Sequence, residues 1–243
     1  MRRKKKTEKR CHLCTDGISE LVSSTEASSC KTCGATWRAQ AVMRAVLKGL
    51  GYPDETDFND VNTDLSRIGL GIGDDWKVAR ALYQKFMYTN SYLDKFPIVD
   101  LLDPPSASIE KFEFITCSDV LEHTPPPRKT PIANIYRMLK PGGFVVITVP
   151  IKPDDTYREY YSGLVSWNFS DSALHWSDGD GRNFIDNYPE IHGGEGLTVV
   201  FRQWSKQQLE EDLNLLGFSQ IHFLPSLGFE HSDKDVALVI ARK

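Results

Sequence analysis

One short run constrains this chain more than any other. Phe144 to Val149 (FVVITV) is apolar in all but one position and is entered through Pro141-Gly-Gly143. It is rich in β-branched residues and too short for a buried helix. A strand of that kind has both faces covered, so it must be the centre of a sheet with helices on each side. The longest apolar run, Phe144 to Ile151, is also far too short to span a bilayer.

The surrounding pattern agrees. Leu65 to Ile68 reads as a short buried strand running into Gly69-Leu-Gly71-Ile-Gly73. Asp74 and Asp75 then offer caps for a helix carrying Val78, Ala79, Leu82 and Phe86 on one face. Phe112 to Cys117 is a second apolar strand. Thr130-Pro131 predicts the start of a helix with Ile132, Ile135 and Leu139 inward, stopped by Pro141-Gly-Gly143. Near the C-terminus, Ser205 and Gln208 have capping-box spacing, and Trp204 with Leu209 has staple spacing. Leu209, Leu213 and Leu216 form that helix's buried face, and Gly217 ends it. Phe218–Leu224 and Val236–Ala241 are two closing strands, expected as a hairpin. Alternating strands and helices predict an α/β fold with a mostly parallel sheet and one antiparallel C-terminal strand.

Four of five cysteines fall in two tight pairs, Cys11-x-x-Cys14 and Cys30-x-x-Cys33. Four thiolates at this spacing can close a tetrahedron around one Zn²⁺ with no open position, hence a structural site. Unrelated thiol pairs or a redox CxxC are the alternatives. Trp37 to Leu50 reads as a helix with Val42, Ala45, Val46 and Leu50 on one stripe, and 51–62 as an acidic linker. We therefore expect a basic tail and zinc element over 1–36, a helix and linker over 37–62, and the main domain over 63–243. Residues 151–200, rich in Tyr, Trp, Asp, Gly and Asn, form an inserted arm within that domain.

Net charge is −4, so the whole molecule is no polyanion binder, yet residues 1–10 (MRRKKKTEKR) are nearly all basic. They are read as a solvated tail, with a nucleic-acid arm as the alternative. No apolar segment follows them, so a cytoplasmic protein without membrane contact is expected.

Glycines between a strand and a helix let a backbone approach a ligand closely, and the helix N-terminus offers free N–H groups. The spacing here is GxGxG rather than the dinucleotide GxGxxG. The segment FEFITCSDVLEHTPPP, followed by IANIYRMLKPGGFVVITVP, resembles the second half of the class I S-adenosylmethionine (SAM) dependent methyltransferases. The likeness covers roughly 63–150 and 201–243. It implies a Rossmann-like methyltransferase sheet and SAM as cofactor. It places Gly69, Gly71 and Gly73 along the methionine and ribose, and Asp94, with Tyr92 nearby, at the ribose hydroxyls. Asp100 falls at the adenine amino group, and Ser118 and Asp119 beside the cofactor. Arg67 departs from the family, which has an acidic residue there for the methionine amino group. The helix between the second and third strands must also be short or absent. The arm's Asp178-Gly-Asp-Gly and Ile191-His-Gly-Gly-Glu-Gly196, followed by Phe201-Arg202 and a capped helix, resemble an arm of bacterial methyltransferases of glycan or cell-envelope assembly.

If the acceptor is a hydroxyl, His123 with Glu122 beside it is the expected base, and His192 can close over the site. His123 bracing its loop and His192 as surface structure are the alternatives. Cys117 reads as a core residue. The arm's aromatics read as a small local core, with ring stacking on an acceptor as the alternative. The expected function is methyl transfer to a small molecule or a glycan or nucleotide-sugar. An RNA or protein methyltransferase using the basic tail, and an inactive zinc-stabilised scaffold, are the competing readings.

Overall fold

The structure, a computed structural model, describes residues 9–14, 18–19, 29–93, 95–152, 154–192, 198–225 and 236–243. Two short strands, β1 (Lys9–Arg10) and β2 (Ile18–Ser19), pair antiparallel. Helix α1 (Trp37–Gly49) is capped by Thr36, whose hydroxyl accepts from Ala39 N. Then come β3 (Asp64–Ile72), α2 (Trp76–Lys85) and β4 (Phe86–Ser91). Next are β5 (Phe112–Ser118), α3 (Lys129–Met138) and β6 (Leu139–Pro150). The arm contributes β7 (Arg158–Glu159), β8 (Leu164–Ser170), β9 (Ala173–Asp178) and β10 (Asn183–Asp186). The chain closes with β11 (Arg202–Gln203), α4 (Lys206–Leu215), β12 (Ser219–Phe223) and β13 (Val236–Arg242).

The main sheet has the order β12-β13-β6-β5-β3-β4. Strands β4, β3, β5 and β6 run parallel, and β13 is antiparallel to both its neighbours. As expected, β6 is central, and it is buried throughout from Gly143 to Val149. One face of the sheet packs on α1 and α2 through Val46, Leu82, Phe114 and Phe144. The other packs on α3 and α4 through Ile132, Ile135, Leu209 and Leu213. Helix α1 is thus a layer of the sandwich. Gly49 is where it meets the sheet most closely, because a Cβ there would lie 2.1 Å from the Phe144 ring.

Several local expectations need correction. Strand β3 does not end at Ile68 but runs to Ile72, so Gly69 and Gly71 lie inside it. Helix α3 begins at Lys129, with no side-chain cap at Arg128; Pro131 is its third residue. The stretch 51–62 is no bare linker, since Phe58 and Val61 are buried against the first core face. Among the described residues between β4 and β5, the helical structure is one 3₁₀ turn, Ser106–Ser108, in keeping with the expected loss of a helix.

The arm builds its own three-stranded sheet, β10-β9-β8. Tyr161, Leu164, Leu174, Val199 and Phe201 form its small core, with Trp167, Phe169 and Trp176 packed on it. Tyr161, Trp167 and Trp176 therefore serve as core, whereas Tyr160 and Tyr188 are exposed. The expected roles of residues 1–8, Asp94 and the glycine segment 193–197 lie outside the described residues. No helix among the described residues is long and apolar enough to cross a membrane.

Candidate active site

Four thiols converge ahead of α1. Cys11 Sγ lies 3.7 Å from Cys33 Sγ, and Cys14 Sγ 3.6 Å from Cys30 Sγ. All four lie within 4.8 Å of one another and none is in a disulfide. A tetrahedron with Zn–S bonds of about 2.3 Å has edges of about 3.8 Å, so the donor set fits Zn²⁺. Burial opposes ionisation of Cys30, yet the backbone N–H groups of Cys33 and Thr32 bring its thiol down to about 7.

The element stands over the carboxyl ends of the parallel strands. Four residues after Cys33, α1 starts, and its Arg38 makes an ion pair with Asp119 at the tip of β5. Gly34 sits 3.5 Å, by its missing Cβ, from the Lys77 side chain of α2.

At the strand tips the glycines divide. A Cβ on Gly69 would meet the Phe114 ring at 2.2 Å, and one on Gly71 would meet the Tyr88 hydroxyl at 1.9 Å. Both are small so that neighbouring strands' side chains can cross them. Gly73 alone stands in the turn, with φ of +67° and Val120 of the β5 loop nearby. Ser118 shares a hydrogen bond with Thr148 (2.6 Å), and Asp119, also at positive φ, accepts from the same hydroxyl. Tyr92 bridges to Ile98 and its hydroxyl accepts from Asn90 Nδ2. Asp100 accepts from Leu102 N in the loop that Asn134 of α3 anchors.

The residue that sequence reasoning missed is Asp74. Asp75 alone caps α2, accepting from Lys77 N. Asp74 turns inward and is 5% exposed. Its Oδ2 accepts from the Tyr88 hydroxyl (2.5 Å) and the Thr116 hydroxyl (2.6 Å), and Asn90 holds its backbone N–H and carbonyl. Its Oδ1 is buried without a hydrogen-bond partner. Burial pushes the carboxyl up to about 6 despite those two hydroxyl donors. An orphaned carboxylate oxygen at a strand tip calls for a cation. The room left by Gly71 is what lets Tyr88 reach it. Arg67, by contrast, lies four residues into β3 and pairs with Asp64 and Glu113 on neighbouring chain segments, away from the tips.

A second cluster follows β5 in a 3₁₀ turn, Leu121–His123. Glu122 is buried, and neither carboxylate oxygen has a hydrogen-bond partner. Burial pushes it up to about 7, with Arg38 and Arg202 pulling the other way. His123 Nε2 lies 3.7 Å from Glu122 Oε1, and its Nδ1 bonds the Val199 carbonyl at 3.0 Å. Burial keeps its pKa below the usual imidazole value. The His192 ring stands edge-on to His123, centroids 5.8 Å apart, and its Nε2 bonds Glu190 at 3.0 Å. The arm is strapped to this turn: Phe201 N donates to Glu122 O, and buried Arg202 donates to Leu121 O (2.7 Å) and Thr124 Oγ1 (2.9 Å). Arg202 is singled out in the sequence only as part of the arm's resemblance; its bracing role was hidden because these contacts lie about 80 residues away in the chain.

A doubly covered, mostly parallel sheet with polar groups gathered at its carboxyl ends is the architecture of Rossmann-like transferases. Residues 45–218 match the family model described as a methyltransferase domain; the chain belongs to this family, and its fold is that of the class I SAM-dependent methyltransferases. Among solved structures it resembles the CMeT domain of the citrinin polyketide synthase (14% identity, TM-score 0.51), covering 86% of this chain and 52% of that one. The DszA carbon methyltransferase is similar (13% identity, TM-score 0.51), covering 85% and 53%. The chain thus spans about half the length of either. A third is the 1,6-didemethyltoxoflavin-N1-methyltransferase of Burkholderia thailandensis (14% identity, TM-score 0.43), covering 94% and 96%. No curated protein matches the sequence.

Proposed function

We propose that this protein transfers the methyl group of SAM to a hydroxyl of a small molecule, of the glycan or nucleotide-sugar class. The observation that carries this reading is a pair of buried carboxylates, Asp74 and Glu122, on adjoining loops at the strand tips, each with unsatisfied oxygen. They divide the labour. The open oxygen of Asp74 suits the ammonium of the cofactor's methionine part. Gly73, Tyr92, Asp100, Ser118 and Asp119 are the residues we assign around the rest of it. SAM supplies an activated methyl group on a sulfonium, so the protein's task is chiefly positioning.

Glu122, His123 and His192 form the acceptor side. The Val199 carbonyl takes the Nδ1 proton of His123, leaving a lone pair on Nε2. That lone pair can draw the proton from an acceptor hydroxyl. The site also selects by size. Glu122 is buried and the His123 side chain is 18% exposed beneath the arm, so a protruding group can reach it and a broad surface cannot. This favours a small acceptor over RNA or protein.

The test is methyl transfer from radiolabelled SAM to a panel of sugars and nucleotide-sugars. His123→Ala is expected to lower turnover by roughly 10²–10⁴-fold, the usual share of a positioned base, while SAH binding persists. Unchanged turnover would remove His123 from the role.

A further inference from the structure

Among the described residues, two groups of side chains converge closely enough for each to grip one ion. The first is the four-cysteine cluster. The second is Glu122, His123 and His192, whose donor atoms lie within 4.8 Å of one another. We propose that this second group holds a divalent first-row transition-metal ion, such as Mn²⁺, Fe²⁺ or Zn²⁺, in addition to the structural zinc. The placement stands on geometry alone; its use in activating an acceptor deepens the methyl-transfer reading and rests on it.

Three independent features point to a cation here. Glu122 is 2% exposed and neither oxygen has a hydrogen-bond partner; Arg38 and Arg202 act on it only through longer-range charge, so a directly bound cation would satisfy it. His123 Nε2, 3.7 Å from Glu122 Oε1, is too far for a hydrogen bond. It is close to the ligand–ligand edge of about 3.4 Å that metal bonds of about 2.1 Å give in a tetrahedron. Each imidazole also has an outer partner of the kind that orients metal ligands. The Val199 carbonyl takes Nδ1–H of His123, and the Glu190 carboxylate takes Nε2–H of His192. Each ring is left with one lone pair. Two imidazoles and a carboxylate suit the borderline divalent metals and leave coordination positions open. The four thiolates suit a closed zinc site, so the two clusters differ in both ligand softness and access.

The open positions give the site its use. An acceptor hydroxyl bound to the ion loses its proton more readily, because the cation stabilises the alkoxide. In this form His123 Nε2 holds the ion rather than taking the proton itself; one Glu122 oxygen is enough for the ion, and the other accepts the proton. The new O–C bond then forms as the methyl–sulfur bond breaks, with the bonding pair returning to sulfur. The ion is neither oxidised nor reduced. His192 comes from the arm and the other two ligands from the β5 turn, so the ion would also clasp the arm to the sheet.

The test uses the full chain purified with zinc. Mn²⁺, which competes poorly for thiolates, is titrated in while the free-ion electron paramagnetic resonance signal is followed. One Mn²⁺ per chain is expected beyond the zinc, and affinity is expected to fall at least about ten-fold in both His192→Ala and Glu122→Gln. Zinc content and melting temperature of each variant show that the fold is kept. Fe²⁺ and excess Zn²⁺, read by elemental analysis after gel filtration, provide parallel arms. No ion retained beyond one zinc in any arm would overturn the site, as would retention that both variants leave untouched. SAH binding on the same sample reports the methyl-transfer reading separately, since SAH bound without a second metal overturns the metal site alone.

Discussion

At the scale of single residues, Asp74 makes the sharpest claim. Its folded-state carboxyl is raised from 3.8 to about 6 by burial, so the folded protein binds the proton more tightly than the unfolded one. The cofactor-free protein should therefore lose stability as pH rises from about 4 to about 6, by roughly 3 kcal/mol at the most, and gain nothing back above that. Asp74→Asn should flatten this slope in thermal melts. A bound ammonium reverses the preference by pairing with the carboxylate. SAH affinity should thus climb with pH to about 6 and level off above it. A flat binding profile between pH 5 and 7 would deny Asp74 that contact. Arg202 makes a different claim. It has no exposed surface and bonds both Glu159 and the Leu121–Thr124 turn. Arg202→Met should cost about 3 kcal/mol, as breaking a buried pair does. Melts and acceptor turnover check it, and a variant as stable and active as wild type would contradict it.

At the scale of elements, the four-cysteine element is tied to the strand tips through α1. The four thiols, the Thr36 cap and the Arg38–Asp119 ion pair follow one another within a few residues. Cys30→Ser, or zinc removal by a chelator, should loosen that helix start and release Asp119. SAH affinity should drop several-fold, and the melting temperature should fall by roughly 5–10 °C if the element is worth about 3 kcal/mol. A zinc assay with parallel calorimetry reads both; unchanged SAH affinity would confine zinc to local folding. The elements were legible in the sequence where local physics decides them. The apolar run of β6, the Thr36 and Ser205 caps and the helix stop at Gly217 all depend on near neighbours. The reach of β3 was not legible, because Gly69 and Gly71 look like turn residues until Phe114 and Tyr88 are seen crossing them from other strands. The same holds for Pro131, which marks a helix start but not which residue begins it.

At the scale of the whole molecule, the sheet brings two loops and an inserted arm to one edge, and there the chemistry gathers. The cysteines and the Glu122–His123–His192 group could be named from the sequence, since their residue types carry the chemistry. The roles of Asp74 and Arg202 could not, because they come from burial and from partners distant in the chain. Arg67 stands where the family has an acidic residue; the fold pairs Arg67 with Asp64 and Glu113, and the strand tip carries the carboxylate of Asp74. Holding the cofactor's ammonium is the role proposed for that carboxylate. Calorimetry of SAH against the zinc-loaded protein and against Asp74→Asn tests it directly. Micromolar binding to the wild type at pH 7.5 is expected, with a loss of roughly 10- to 100-fold in the variant, the worth of one charge-assisted hydrogen bond. No binding by the wild type, or equal binding by both, would contradict it.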